Sequence, residues 1–162
     1  MGVVKQQVPE AKVVFGIIMG TGVGGGIVIN GQVWNGRHGI AGEWGHNFLD
    51  ESGGPCYCGK TGCVEKVLSG PGLQAYYTQL TGQAFTLKQI VAAYMAGNDM
   101  AAQATINRLT HFFGKAISVV TNLLDPDVIV VGGGVGNISV IYTAGVESLK
   151  NTYLIMGWKY RS

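Results

Sequence analysis

One histidine and three cysteines stand close together in the order His46-x9-Cys56-x-Cys58-x4-Cys63. One imidazole and three thiolates fill a tetrahedral zinc shell with no open position, so this spacing predicts a structural rather than a catalytic zinc. Gly53, Gly54, Gly59 and Gly62 let the backbone fold around the ion. A closed shell of this kind also makes a long loop rigid. The alternative is three unrelated thiols in a protein kept in a reducing compartment.

Two carboxylates flank the shell, Glu43 three residues before His46 and Glu65 two residues after Cys63. A bound ion draws His46 toward Cys63 and so brings both carboxylates toward one pocket. Converging carboxylates suit sugar hydroxyls, each oxygen accepting from a separate O–H. Paired acids also serve glycoside hydrolysis, and either residue alone can be a helix-terminus or ligand-orienting carboxylate.

Two glycine turns complete the chemistry. Gly20-Thr21-Gly22-Val23-Gly24-Gly25-Gly26 formally matches a dinucleotide fingerprint, but the residues after it read as a hairpin where the fingerprint needs a helix. What survives is a row of backbone N–H groups able to form an anion nest, with the Thr21 hydroxyl as a further donor. The competing reading is a tight loop between strands. Gly132-Gly133-Gly134 follows an apolar run and precedes a helical pattern, a setting suited to nucleotide. The two turns together are consistent with one nucleotide held from two sides. His38 and His111 carry no such pattern and read as structural, and the Asn137-Ile-Ser139 sequon has no meaning in a cytosolic protein.

These groups need elements to position them. Val13 to Met19 is a continuous apolar run of the kind buried in a sheet, and Val128 to Val131 is a second. Ile27 to Ile29, the pair Asn30-Gly31 and Gln32 to Trp34 read as a hairpin, followed by a long irregular loop from Asn35 to Gly62. Helix is expected near Val64, past a break at Ser69-Gly-Pro-Gly72, into Leu73 to Gln79. Thr86-Leu-Lys-Gln89 is a capping-box pattern opening a helix to about Ala96. The longest helix spans about Met100 to Asn122, with Ile106, Leu109, Phe113, Ala116, Val120 and Leu123 drawing an apolar stripe and Asp125-Pro126 ending it. A helix from about Ser139 to Lys150 and a short strand at Tyr153 to Met156 close the chain. The order predicts an α/β domain with helices on a mixed sheet.

Composition narrows the class. Of 162 residues 27 are glycine, and 17 of these fall between positions 16 and 72, so backbone-built sites concentrate in one half. Charged residues make up only 12%, about half the usual quarter, which predicts a face buried against a partner. The net charge of +2 comes without a Lys/Arg cluster, so nucleic-acid binding by this segment is not expected. The uncharged stretch Val13 to Gly36 holds too many glycines and amides for a membrane helix. With no signal peptide and an odd number of closely spaced cysteines, the expected compartment is the cytoplasm.

The motifs Gly20-Thr-Gly-Val-Gly-Gly-Gly26, Ala41-Gly-Glu-Trp-Gly-His46, Cys56-x-Cys-Gly-x-x-Gly-Cys-x-Glu65, Ser69-Gly70 and Asp125-Pro-Asp-x-Ile-x-x-x-Gly-Gly-Gly134 together resemble the ROK family of bacterial sugar kinases and sugar-responsive repressors. The resemblance implies an actin-like, ribonuclease-H-like ATPase fold of the hexokinase type. Residues 1–162 would be most of its C-terminal domain, incomplete, with an inserted zinc-binding loop at about 36–65 and the N-terminal domain absent.

By the same resemblance Gly20, Thr21, Gly22, Gly24, Gly25 and Gly26 form a phosphate loop, and Gly132, Gly133 and Gly134 the adenosine-side turn. Glu43, His46 and Glu65 meet the sugar, and His46, Cys56, Cys58 and Cys63 hold zinc, with His46 using one ring nitrogen for each task. The family's Asp-x-Gly-Gly-Thr loop and its Asn-Asp-Ala-Asn type motif with the aspartate base are missing, so the chain is expected to be a fragment without a catalytic residue of its own. The implied activity of the parent is transfer of the MgATP γ-phosphoryl to a hexose, in a homodimer. The alternatives are a sugar-sensing repressor effector domain and a zinc-binding fold without nucleotide. Trp44 and Pro55-Cys-Tyr-Cys-Gly59 resemble the fructokinase branch, whereas Phe48 departs from it, so fructose, glucose and N-acetylated hexosamines all remain candidates.

Overall fold

Val13–Met19, apolar at every position except Gly16, becomes the interior strand β1 of a four-stranded sheet. The computed structural model in which it lies describes residues 10–152. β1 runs antiparallel to β2 (Val23–Ile29) and parallel to β4 (Val128–Gly132), and β3 (Gln32–Trp34) forms the edge beside β2. The β2–β3 turn is the expected Asn30-Gly31, with both residues at positive φ (50° and 79°), the geometry a two-residue hairpin loop requires.

Among the described residues five helices follow the sequence expectations with informative differences. They are α1 (Val64–Leu68), α2 (Gly70–Thr81), α3 (Leu87–Ala96), α4 (Met100–Leu124) and α5 (Ala144–Thr152). The predicted break narrows to Ser69, whose side chain accepts from Gly72 N–H, so Gly70 and Pro71 lie inside α2. Proline is tolerated there because first-turn amides have no helical partner. The Thr86–Gln89 capping box forms in full. The helix expected from Ser139 starts only at Ala144, after short 3-10 turns at Val135–Asn137 and Ser139–Tyr142. The strand predicted at Tyr153 to Met156 lies outside the described residues.

The stripe predicted along α4 holds through Phe113 and Ala116 and then drifts. Leu123 is 84% exposed, while Ile117 and Thr121 turn inward. Thr121 tolerates burial because its hydroxyl donates to the Ile117 carbonyl at 2.9 Å. Phe15, Ile17 and Met19 from one face of β1 join Ile106, Leu109, Phe113 and Ile117 of α4 in a single core.

The opposite face of the sheet carries Gly16, Ile18, Gly24, Gly26, Val130 and Gly132. Ile18 is 65% exposed there, and a shallow groove of about 470 Å³ crosses these residues. Its lining holds no charged side chain, so this part of the sheet is a bare face of glycine and apolar residues. This agrees with the low charge content of the chain. Asp127 fastens the start of the sheet, its Oδ2 accepting from the Lys12 and Val13 amides at 2.8 Å each. These two hydrogen bonds hold its carboxyl below the usual carboxylate range.

Candidate functional site

The segment Asn35 to Gly62 is irregular, as expected, but closely bonded. Leu49 N–H donates to the Gly62 carbonyl at 2.7 Å, Gly62 N–H to Gly54 at 2.9 Å and Cys56 N–H to Lys60 at 2.7 Å. Gly54, Gly59 and Gly62 all take positive φ, and a Cβ on Gly62 would collide with the Asp50 backbone. From α4, Lys115 Nζ donates to the Leu49 carbonyl at 3.2 Å. Arg108 reaches Ser52 Oγ at 2.8 Å while its guanidinium lies over the rings of Tyr76 and Phe112. The loop is therefore anchored on the longest helix.

Within it, His46, Cys56, Cys58 and Cys63 bring their donor atoms within 4.8 Å of one another. His46 Nδ1 lies 3.6 Å from Cys56 Sγ, and Cys58 Sγ lies 3.6 Å from Cys63 Sγ. A tetrahedral zinc with Zn–S bonds of about 2.3 Å separates its sulfurs by about 3.8 Å. The donor set and its spacing therefore fit zinc, with no position left for substrate on the ion.

The thiols differ in acidity. The Lys60 backbone N–H lowers Cys58 to about 7, whereas burial raises Cys63 to about 12. A cation that takes thiolates must displace the Cys63 proton at any physiological pH. Zinc affinity should accordingly fall with acidification, and more steeply below pH 7, where Cys58 also keeps its proton. Zinc titrations on both sides of that pH check this, and a pH-independent affinity contradicts it.

His46 is placed by its two preceding residues. Trp44 is buried edge-on against Phe15, and its Nε1 donates to the Gly24 carbonyl at 3.0 Å. Gly45 lies so close to the Val23 carbonyl that no Cβ fits. The 3-10 turn Trp44–His46 is thus seated on the first residues of β2. The other ring nitrogen of His46, Nε2, lies 3.0 Å from the hydroxyl of Tyr57, whose side chain is otherwise 81% exposed. The Glu65 carboxylate, with burial, Cys56, Cys58 and Glu43 in support, raises the Tyr57 phenol above its ordinary value. Neither carboxylate hydrogen-bonds the Tyr57 hydroxyl, which His46 Nε2 alone meets among the described residues. Tyr57 was not singled out by the sequence reading; its signal was its place between two cysteines.

The glycines divide into two kinds. The expected seven-residue loop is shorter, because Val23 to Gly26 belong to β2 and only Gly20, Thr21 and Gly22 form the turn. Glycines pair across β1 and β2 at Gly16 and Gly26, so absence of side chains does not prevent strand formation here. The Thr21 and Gly22 amides make no hydrogen bond within the described residues. Gly24, Gly26 and Gly132 lie on the open face, and nothing crowds a Cβ on Gly134. Gly25 instead faces the core, where a Cβ would meet the Trp44 indole at 2.7 Å. Gly133, at φ +88°, crosses against the Met19 carbonyl, so the two glycine turns are neighbours at one end of the sheet.

The sequence profile of the ROK family matches residues 4–161. The chain belongs to the ROK family. It is 38% identical over 140 residues to the N-acetyl-D-glucosamine kinase of Pectobacterium carotovorum subsp. carotovorum (strain PC1), a match covering 80% of this chain and 46% of that protein. This ROK chain also superposes on a ROK family glucokinase from Streptomyces griseus in complex with glucose and AMPPNP, with a TM-score of 0.80 and 27% identity, covering 94% and 55% of the two chains. A ROK family transcriptional regulator, a homolog of the E. coli MLC protein, matches with a TM-score of 0.76 and 30% identity over 94% of this chain and 42% of the other. The expected α/β, actin-like ATPase fold is borne out. The chain spans about half the length of the curated relatives it matches. No helix among the described residues is long and apolar enough to cross a membrane.

Proposed function

We propose that the protein carrying this ROK chain transfers the γ-phosphoryl group of MgATP to a hydroxyl of a hexose, with N-acetyl-D-glucosamine first among the candidate sugars. One observation carries the reading: His46, whose Nδ1 lies inside the four-donor cluster beside Cys56 Sγ, turns its other ring nitrogen, Nε2, to a hydroxyl, that of Tyr57. An imidazole nitrogen held toward an O–H in this way is suited to a polyhydroxylated ligand. The similarity to N-acetyl-D-glucosamine kinases supports the choice of sugar.

In this reading residues 1–162 supply most of the C-terminal domain and half of a cleft. His46, Cys56, Cys58 and Cys63 would hold zinc, which supplies closure of the loop and fixes the orientation of His46. The Thr21 and Gly22 amides and the turn at Gly132, Gly133 and Gly134 meet the nucleotide from two neighbouring sides. Phosphoryl transfer then depends on positioning and electrostatic stabilisation, with an aspartate base from the part of the protein outside this chain.

The Tyr57 hydroxyl holds the place that a sugar hydroxyl takes. Replacing it, Tyr57→Phe, removes a competing hydrogen bond worth about 1 kcal/mol and should tighten sugar binding about fivefold. Calorimetric titration checks this; a weaker sugar affinity makes the hydroxyl a ligand rather than a competitor.

A second reading, the effector domain of a sugar-sensing repressor, is favoured by the similarity to the ROK regulator. A coupled assay of ADP formation by the full-length protein across a hexose panel separates the two. The kinase reading requires sugar-dependent ADP release, and sugar binding without turnover favours the repressor.

A further inference from the structure

The turn Gly20–Gly22 is gripped from outside the sheet by the segment that follows the last cysteine. Val23 N–H donates to Glu65 Oε2 at 2.9 Å, and Gly70 N–H donates to the Gly20 carbonyl at 2.8 Å. The fit is close, since a Cβ on Gly22 would lie 2.7 Å from the same Glu65 oxygen. Glu65 stands in the first turn of α1, directly after Cys63, which is both the N-cap of that helix and a member of the four-donor cluster. Its second oxygen, Oε1, makes no hydrogen bond among the described residues.

We propose that Glu65 is a positioning residue joining the two halves of the cleft: Oε2 holds the phosphate-facing turn through the Val23 amide while Oε1 takes a sugar hydroxyl. This rests on the hexose kinase reading above. A glutamate held by one oxygen keeps rotamer freedom, and the turn it holds shares that freedom. A sugar hydroxyl on the second oxygen removes it, so a nucleotide arriving next has less to order. The coupling is reciprocal: sugar tightens nucleotide by the factor by which nucleotide tightens sugar.

The test uses the zinc-loaded full-length protein, with N-acetyl-D-glucosamine and Mg-AMPPNP as probes. Saturating sugar should tighten AMPPNP about fivefold, at the low end of allosteric couplings. In Glu65→Ala that factor should fall to one. Without either ligand, hydrogen exchange at the Val23 amide should quicken about tenfold or more in Glu65→Ala while the Gly70 amide stays slow. Glu65→Gln, whose carboxamide oxygen can still accept from Val23, should restore the slow Val23 exchange, a rescue that general loss of fold does not give. Unchanged Val23 exchange in Glu65→Ala, or an undiminished coupling factor, overturns the proposal. Wild-type protein that binds both probes independently overturns the coupling alone, and wild-type protein that binds neither overturns the kinase reading and the coupling with it.

Discussion

His46→Ala is expected to weaken two bindings at once. Removing Nδ1 takes one of four donors from the metal shell, and zinc affinity should drop at least about 100-fold, since even residues behind the ligands alter it by 10- to 100-fold. Removing Nε2 takes away the group now bonded to the Tyr57 hydroxyl, and sugar affinity should fall roughly tenfold to 100-fold. Cys58→Ser provides the contrast. Cys58 is an exposed member of the four-donor cluster with no bond to the Tyr57 hydroxyl, so its loss should lower zinc affinity first and sugar affinity only through the loosened loop. Zinc content and calorimetric sugar titration on the two variants check this. Retention of full sugar affinity by His46→Ala refutes the shared role of the imidazole.

Gly45→Ala should be the most damaging single methyl in the chain's loop. Gly45 is buried, and its Cβ would overlap the Val23 backbone carbonyl, which β2 holds in place. No flexible side-chain end is available to yield. Overpacking against backbone costs about 3 kcal/mol or more, which lowers the melting temperature of a domain this size by roughly 6–12 °C. The displacement falls on Trp44 and His46, so the variant should also lose sugar affinity. Gly24→Ala is the control: nothing lies within 4 Å of its Cβ, and its melting temperature should stay close to wild type. Equal losses in the two variants contradict the seating of the Trp44–His46 turn on β2.

Much of this was legible in the sequence, for identifiable reasons. The spacing of one histidine and three cysteines is a local property of a short loop, and their donor atoms gather within 4.8 Å of one another. The capping box at Thr86, the Asn30-Gly31 turn and the helix stop at Asp125 are also local, and each forms as read. What the sequence concealed was long-range. Glycines between Val23 and Ile27 look like loop, yet pairing with β1 makes them strand, and their alternation sends Gly25 to the Trp44 side while Gly24 and Gly26 stay open. The end of the α4 stripe was misplaced because spacings of three and four from Val120 fit both Leu123 and Leu124, and only the packing partner decides between them: Leu124 packs against the core and Leu123 is exposed. Arg108 stapling the loop to α4, Asp127 tying β1 to β4 and Glu65 reaching Val23 span large sequence separations, which no spacing rule reports.

In the proposed function the four-donor loop, once metal-filled, builds the sugar site. Its most direct test is sugar affinity measured as zinc is returned stepwise to the metal-free full-length protein. Sugar binding should rise in proportion to zinc and reach its maximum at one zinc per chain; full sugar affinity in the zinc-free protein would contradict it.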